Sequence, residues 1–408
     1  MSIKKLNALL KGAVDELKAR GTAKGKETVV TSIKPATAKN GPRYFIDGYG
    51  DKEFIRMNSN SYLGISMNPE LIAAEEAAAR EFGTGPGAVR FISGTYKPHT
   101  NLEARLASFH SKEAGMLFSS AYVTSLGVLM PLATEETVYI SDELNHNCII
   151  QAMRLSRPQG KAIYKHNDMA DLEAKLGEWS GQARRALVVT DGVFSMRGDN
   201  VPLQEFVSTC SRYADRFEEG LITIMDDSHG VGGFGRTGRG TEEYCGAEVD
   251  LLIGTLGKAF GVNGGYVVTS REIVDYLRQT APMYIYSNPI TVAEASAASA
   301  ALELLDSPRG LEILEHLRTM TRRFQAGLEN YGYETIAGDH PVVPLMVRDT
   351  AKTTELVQFL TDRGVLATGL NFPVVPKGDE EIRFQINADH QESDIDRLLD
   401  VLREYRDR

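Results

Sequence analysis

Cysteine and tryptophan are the scarce residues of this chain, with three and one among 408. Cys148, Cys210 and Cys245 lie too far apart for a disulfide framework or a thiolate metal cluster, so they read as reduced structural thiols and no metal site is expected. No apolar run approaches the roughly 20 residues that cross a bilayer. The opening Met-Ser-Ile-Lys-Lys-Leu has neither the apolar core nor the small-residue cleavage site of a signal peptide. These absences point to a cytoplasmic protein without a membrane partner. Positive charge is in deficit too: 45 Lys and Arg face 55 Asp and Glu, and a net charge of -10 argues against nucleic acid as a partner.

What is present, 42% hydrophobic and 25% charged residues, is the make-up of a soluble globular protein in a chain too long for one compact core. Its basic residues are unevenly placed. Up to Arg43, Lys4, Lys5, Lys11, Lys18, Arg20, Lys24, Lys26, Lys34 and Lys39 meet only Asp15, Glu16 and Glu27. Such an arm suits an anionic ligand, a partner subunit or a solvated helix face. Within it Ile3, Leu6, Leu9, Leu10, Val14 and Leu17 recur at helical spacing. They predict an amphipathic helix over residues 1–20 that must pack on the body or on a second subunit.

After an extended stretch, 27–33, and an expected hairpin over 44–55, apolar runs near 114–118, 138–140, 162–164, 186–190, 221–225, 251–254 and 266–269 alternate with helical segments. That alternation predicts an α/β fold with a mostly parallel central sheet flanked by helices. Beyond an alanine-rich helix, 292–305, short strands and helices predict a smaller C-terminal α+β domain. The expected division is an N-terminal helix and arm, 1–48, a large ligand-binding domain, 49–291, and a small domain, 292–408. Ligands of such sheets bind at the carboxyl ends of the strands, which places Ser195, Asp226, His229 and Lys258 on one edge.

Lys258 follows the apolar run Leu251 to Ile253 in glycine-rich surroundings. A desolvated ammonium there has a lowered pKa and serves as a nucleophile or Schiff-base former; a lysine that snorkels out of the strand end is the alternative. Ser119-Ser120-Ala121-Tyr122 stands where a strand gives way to a helix, a place for a phosphate or for a plain serine cap. Asp226-Asp-Ser-His229 ends a buried strand. Its carboxylate needs a cation, a protonated pyridine nitrogen or an arginine, and His229 is either a donor to a ligand or a packed histidine. Gly230-Val-Gly-Gly-Phe-Gly235 fits a dinucleotide fingerprint, yet no helix follows it. Ser195 is not in a G-x-S-x-G elbow, so a hydrolase triad is not expected. His146 is placed to lie over a flat ligand or to pack, and Arg383 to clamp a carboxylate or to sit at the surface.

Together, Val89-Arg-Phe-Ile-Ser-Gly-Thr95, Ile140-Ser-Asp-Glu-Leu-Asn-His146, Thr190-Asp-Gly-Val-Phe-Ser-Met196, Asp226-Asp-Ser-His229, Thr255-x-x-Lys258 and Phe372-Pro-Val-Val-Pro-Lys-Gly378 resemble the α-oxoamine synthases. These are fold-type I pyridoxal 5'-phosphate (PLP) enzymes that join an amino acid to an acyl-CoA thioester. The resemblance runs from Thr31 to Arg383. It implies that Lys258 is the covalent anchor of PLP and later moves the α-proton. Asp226 would pair with the ring nitrogen, His146 would stack on the ring, and Ser195 and His229 would bond the ring oxygen. Ser120, Ala121, Tyr122 and Thr255 would hold the phosphate, joined across a homodimer with a shared active site by Ser287 and Asn288 of the other subunit. Asn60 and Arg383 would grip the amino-acid carboxylate. Glycine and acetyl-CoA are the leading substrates implied, with other members' substrates, or aminotransferase or aldolase chemistry, as alternatives. Ser120-Ala-Tyr-Val-Thr124 and Phe260-Gly-Val-Asn-Gly-Gly265 depart from the expected pattern.

Overall fold

Seven short runs rich in Val, Ile, Leu and Thr form the central sheet. Their spatial order is Ala114–Phe118, Gly265–Thr269, Leu251–Thr255, Leu221–Asp226, Arg185–Asp191, Thr137–Asp142, Gly160–Tyr164. The last five are parallel to one another, and Gly265–Thr269 runs antiparallel to both of its neighbours. The inner strands are buried on both faces, which is why they read as unbroken apolar runs. The computed structural model describes residues 2–20, 22–372 and 374–408. Gly21, in the polar link after the first helix, and Pro373, in the Phe372 to Gly378 motif, lie outside the described residues.

Helices Ala121–Leu132, Asn147–Leu155, Met169–Trp179 and Leu203–Ser211 connect successive strands. Side chains set their starts: Ser120 accepts from the Val123 N–H and Asp168 from those of Ala170 and Asp171. The one antiparallel connection is the loop 256–264, which carries Lys258. It is closed by N–H bonds from Leu256 to Gly264 O and from Val262 to Leu256 O.

The C-terminal part holds a three-stranded antiparallel sheet, Val342–Met346, Glu381–Gln385 and Thr368–Leu370. It packs with helices Pro308–Asn330, Thr350–Asp362 and Glu392–Arg406. Residues Ile55–Arg56 pair with Val365–Leu366 in parallel, and the Gln385 and Ala388 N–H groups donate to Met57 O and Tyr62 O. Arg43 reaches Asp394 at 2.6 Å, both buried. The segment around Asn60 is therefore fastened to the C-terminal sheet.

The 44–55 hairpin forms, its turn over 47–51 closed by Tyr44 and Phe54 exchanging both N–H to carbonyl bonds, while Arg43–Ile46 also pairs with Val30–Lys34 and Ile55 with Val365. Other local expectations fail. The 203–217 helix stops at Ser211 and continues only as a short turn, Ala214–Arg216. Helices Arg271–Thr280, capped by Ser270, and Pro282–Ile285 went unread. The first is strongly amphipathic, with Ile273, Val274 and Leu277 on the face packed against the sheet, but it is short and polar overall. The loop 83–95 contains a wide turn, Arg90–Gly94, held by Arg90 bidentate on Glu103. The first helix, Ser2–Ala19, forms as expected, yet its six apolar residues are 46 to 72% exposed. No helix among the described residues is long and apolar enough to cross a membrane.

Candidate active site

Strand register brings the first carboxylates together. Asp191 and Asp226 end adjacent parallel strands and lie side by side in the ladder, and Asp226 is level with Ile253 on the strand leading to Lys258. A cavity opens at this edge, lined by Ala121, Tyr122, His146, Asp191, Ser195, Asp226, His229 and Lys258, with Cys148, Val193 and Ser228 between them. Seven of the residues expected from the sequence thus meet in one place. Ser120 and Thr255 stand just behind the lining. Ser120 caps the helix at Val123, and Thr255 donates to Gly264 O and accepts from the Gly257 N–H. Asn60 and Arg383 form a neighbouring wall, and Ser287 and Asn288 lie on a turn outside the cavity.

Each group on the cavity floor is tuned by its neighbours. Asp226 is buried and accepts from the Ser228 N–H at 3.1 Å, Ser125 Oγ at 3.3 Å and Cys148 Sγ at 3.6 Å. The Lys258 amine makes no hydrogen bond or ion pair with the described residues; burial lowers its pKa to about 8, against the opposing pull of Asp226 and Asp191. His229 Nδ1 lies 2.6 Å from the Tyr62 hydroxyl. Burial, then the charge of Lys258, holds its pKa well below the usual value, while burial raises that of Tyr62. The tyrosine is therefore the donor, Nδ1 the acceptor, and Nε2 keeps the proton. His340 Nε2 fixes the same residue from behind by bonding His229 O at 2.9 Å. His146 caps its helix through the Cys148 N–H, and its own N–H donates to Asp191 Oδ2 at 3.1 Å.

The adjoining aspartate does a different job. Asp227 is buried beneath the glycine turn, accepting from Thr241 N and Oγ1 at 2.8 and 2.6 Å. It holds Gly230–Gly240 folded, and only a five-residue helix, Thr241–Cys245, follows. The dinucleotide fingerprint thus has no phosphate-binding helix behind it.

Tyr62, Ser125, Cys148, Asp191 and His340 were missed as site residues. Cys148 was expected to be structural only, yet its thiol, pushed up in pKa by burial, faces Asp226. Asp191 had a signal, standing one residue past an apolar strand as Asp226 does. On the wall, Arg383 Nη1 donates to Ser195 O at 3.0 Å. The Gln385 amide satisfies its surroundings when its oxygen accepts from Arg383 Nε and Nη2 at 2.8 and 2.9 Å.

Two buried polar atoms on the lining have no partner among the described residues, Asp191 Oδ1 and Ser228 Oγ. The helix Ala121–Leu132 points its N-terminus at the same space. Gly265 permits this, because a Cβ there would lie 2.4 Å from Ala121 N. An aldehyde for the amine, a cationic ring nitrogen for Asp226 and a phosphate for the helix end are all features of PLP, so the residues present fit it. Fold and floor together define the class: a PLP-dependent enzyme of fold type I.

Comparison with known proteins gives the family. Residues 52–402 match the aminotransferase class I and II family. The chain is 39% identical to mitochondrial 2-amino-3-ketobutyrate coenzyme A ligase of Homo sapiens, over 98% of this chain and 92% of that protein. It is 37% identical to 8-amino-7-oxononanoate synthase of Thermosipho melanesiensis, over 95% and 94%. A serine palmitoyltransferase of S. paucimobilis, solved with PLP and myriocin, superposes with a TM-score of 0.87 at 26% identity, covering 98% of this chain and 97% of that one. The chain belongs to the aminotransferase class I and II family and, within it, to the α-oxoamine synthases.

Proposed function

We propose that the protein is a C-acyltransferase that joins glycine to acetyl-CoA, releasing 2-amino-3-ketobutyrate and CoA, and that it works as a homodimer. The observation that carries the chemistry is the free amine of Lys258 in one cavity with Asp226, His229 and His146. The choice of substrates is supported by the human relative's name, since a four-carbon 2-amino-3-keto acid is glycine plus a two-carbon acyl group.

PLP, when bound, supplies an electron sink for charge developing on the amino acid's α-carbon. Lys258 would anchor it and then take the α-proton, a task suited to an amine with a pKa near 8. Asp226 would hold the ring nitrogen's positive charge. Ser195 and the Nε2–H of His229 would donate to the ring oxygen, and His146 would cover the ring face. Ser120, Ala121, Tyr122 and Thr255 would hold the phosphate. Asn60 and Arg383 would grip the substrate carboxylate, with Gln385 fixing the arginine's plane. As the new C–C bond forms at the thioester carbonyl, the C–S bond breaks and the thiol leaves with a proton.

The dimer reading rests on unpartnered surface. The first helix leaves its apolar face exposed, and Phe91, Ile92 and Tyr286 are exposed beside the turn bearing Ser287 and Asn288. That turn would complete the phosphate site of the other subunit.

Free-thiol release tests the reaction. In a panel of amino acids against acyl-CoA chain lengths, the PLP-loaded protein should release thiol fastest with glycine and acetyl-CoA. The family match also admits an aminotransferase. Amino-group transfer to a keto acid without CoA, together with no thiol release, would overturn the proposal.

A further inference from the structure

His166 lies outside the cavity, just past the strand Gly160–Tyr164, yet both of its ring nitrogens face carboxylates. Nδ1 is 3.2 Å from Asp142 Oδ1 and Nε2 is 3.1 Å from Asp199 Oδ2. The ring stands edge-on to Phe194 at 4.4 Å. Nε2 also lies 3.3 Å from Asn167 Nδ2, a longer contact than that to either carboxylate, and an imidazole that donates to both carboxylates carries both protons.

Each carboxylate closes a turn that leads to a cavity residue. Asp142 Oδ1 also accepts from the Leu144 N–H at 2.8 Å, and Oδ2 from that of Asn167 at 2.9 Å. This shapes the turn 142–145 that delivers His146. Asp199 accepts from Arg197 Nε at 3.0 Å, and its carbonyl takes the Phe194 N–H at 2.9 Å. This closes the turn 194–199 that carries Ser195. Among the described residues, His166 is the only side chain bonded to both carboxylates.

We propose that His166 is a positioning residue, an imidazolium pin that fixes the Ser195 turn against the His146 turn and so sets the cofactor's ring between them. Its titration agrees with the geometry. Burial alone would depress its pKa, but hydrogen bonds to Asp142 and then Asp199 overcome this and bring it to about 9. The groups around it are Asp142 and Tyr164 on the strands, Glu143 at its backbone N–H, Asp171 on the following helix, Arg197 and Asp199 on the Ser195 turn, and Glu381 facing Asp199 from the C-terminal sheet. The folded pKa exceeds the unfolded one, so the stability the pin contributes is fully present below about 6.5 and is lost as pH rises through about 9, where the pin itself titrates.

The test uses the PLP-loaded enzyme and reads the visible circular dichroism of the bound cofactor, which reports ring orientation, beside kcat, KM and Tm. His166→Gln should bind PLP with a weakened dichroic band. Its kcat should fall about 10- to 100-fold, the scale of a small misplacement. The wild-type band should fade with a midpoint near pH 9, the His166→Gln band should be flat there, and His166→Lys should recover part of the signal and move its alkaline limb upward. A His166→Gln enzyme with only a lower Tm, and with wild-type dichroism and pH profile, would overturn the proposal. If that variant does not fold, Asp199→Asn replaces it: a weaker band with a midpoint below 9 is expected, and an unchanged one refutes the pin. The inference rests on PLP binding at this site, and the failures differ: a colourless wild type defeats the PLP reading, whereas a coloured variant with unchanged dichroism defeats only the pin.

Discussion

The floor of the cavity and its rim are built in different ways. Asp191, Asp226 and Lys258 are delivered by strands whose backbone ladder fixes them, and burial has moved the pKa of Lys258, His229 and Asp191 away from ordinary values. Arg383 and Gln385 stand on a strand of the separate C-terminal sheet and Asn60 on a loop tied to that strand by backbone bonds, with the Gln385 amide setting the arginine's plane, and Ser287 and Asn288 sit on a turn outside the cavity. A sheet edge can hold charge at a fixed point with no reorganisation, which is what chemistry requires. A rim assembled from a loop, a turn and a second sheet can vary while the floor's ladder stays as it is.

The sharpest way to break this contrast is at Lys258. Lys258→Ala should lower turnover by roughly ten-thousand-fold or more and remove the absorbance of the lysine–cofactor bond. Retained turnover would make the floor's amine dispensable. A smaller effect is expected on the rim. Arg383→Lys keeps the charge but loses the planar fork, so KM for the amino acid should rise about 10- to 100-fold while kcat changes less. Steady-state kinetics with varied glycine would show this, and a loss confined to kcat would move Arg383 to the floor's side of the comparison. The mildest change is expected from removing residues 1–20. The dimer should weaken in sedimentation at low concentration while activity per site at high concentration stays near wild type. An unchanged dimer constant would leave the exposed apolar face of that helix without a role.

The same contrast explains what could be read from sequence. Asp226, His229 and Lys258 were legible because each follows an apolar run, and strand ends in a parallel sheet converge by rule. His146 and the serine loop followed for the same reason. Tyr62 was not legible: it stands in a polar loop, and its bond to His229 spans 167 residues. His166 hid in a strand-to-helix link that looks like any other, since its meaning lies in two carboxylates from different turns. The turn near Gly48 was legible from its glycines, whereas the parallel pairing of Ile55 with Val365 was not, since no local pattern announces it.

That long-range pairing bears on how the molecule is made. Arg43 and Asp394 are 351 residues apart and buried as a pair, and Gly41 N–H closes on the same carboxylate at 2.7 Å. During synthesis the segment running from Arg43 through Asn60 to Tyr62 cannot reach its partners at Gln385, Ala388 and Asp394 until the end of the chain has emerged from the ribosome. A chain cut short before Glu381 would lose the backbone partners of Met57 and Tyr62, and with Tyr62 the bond that sets the His229 tautomer on the cavity floor.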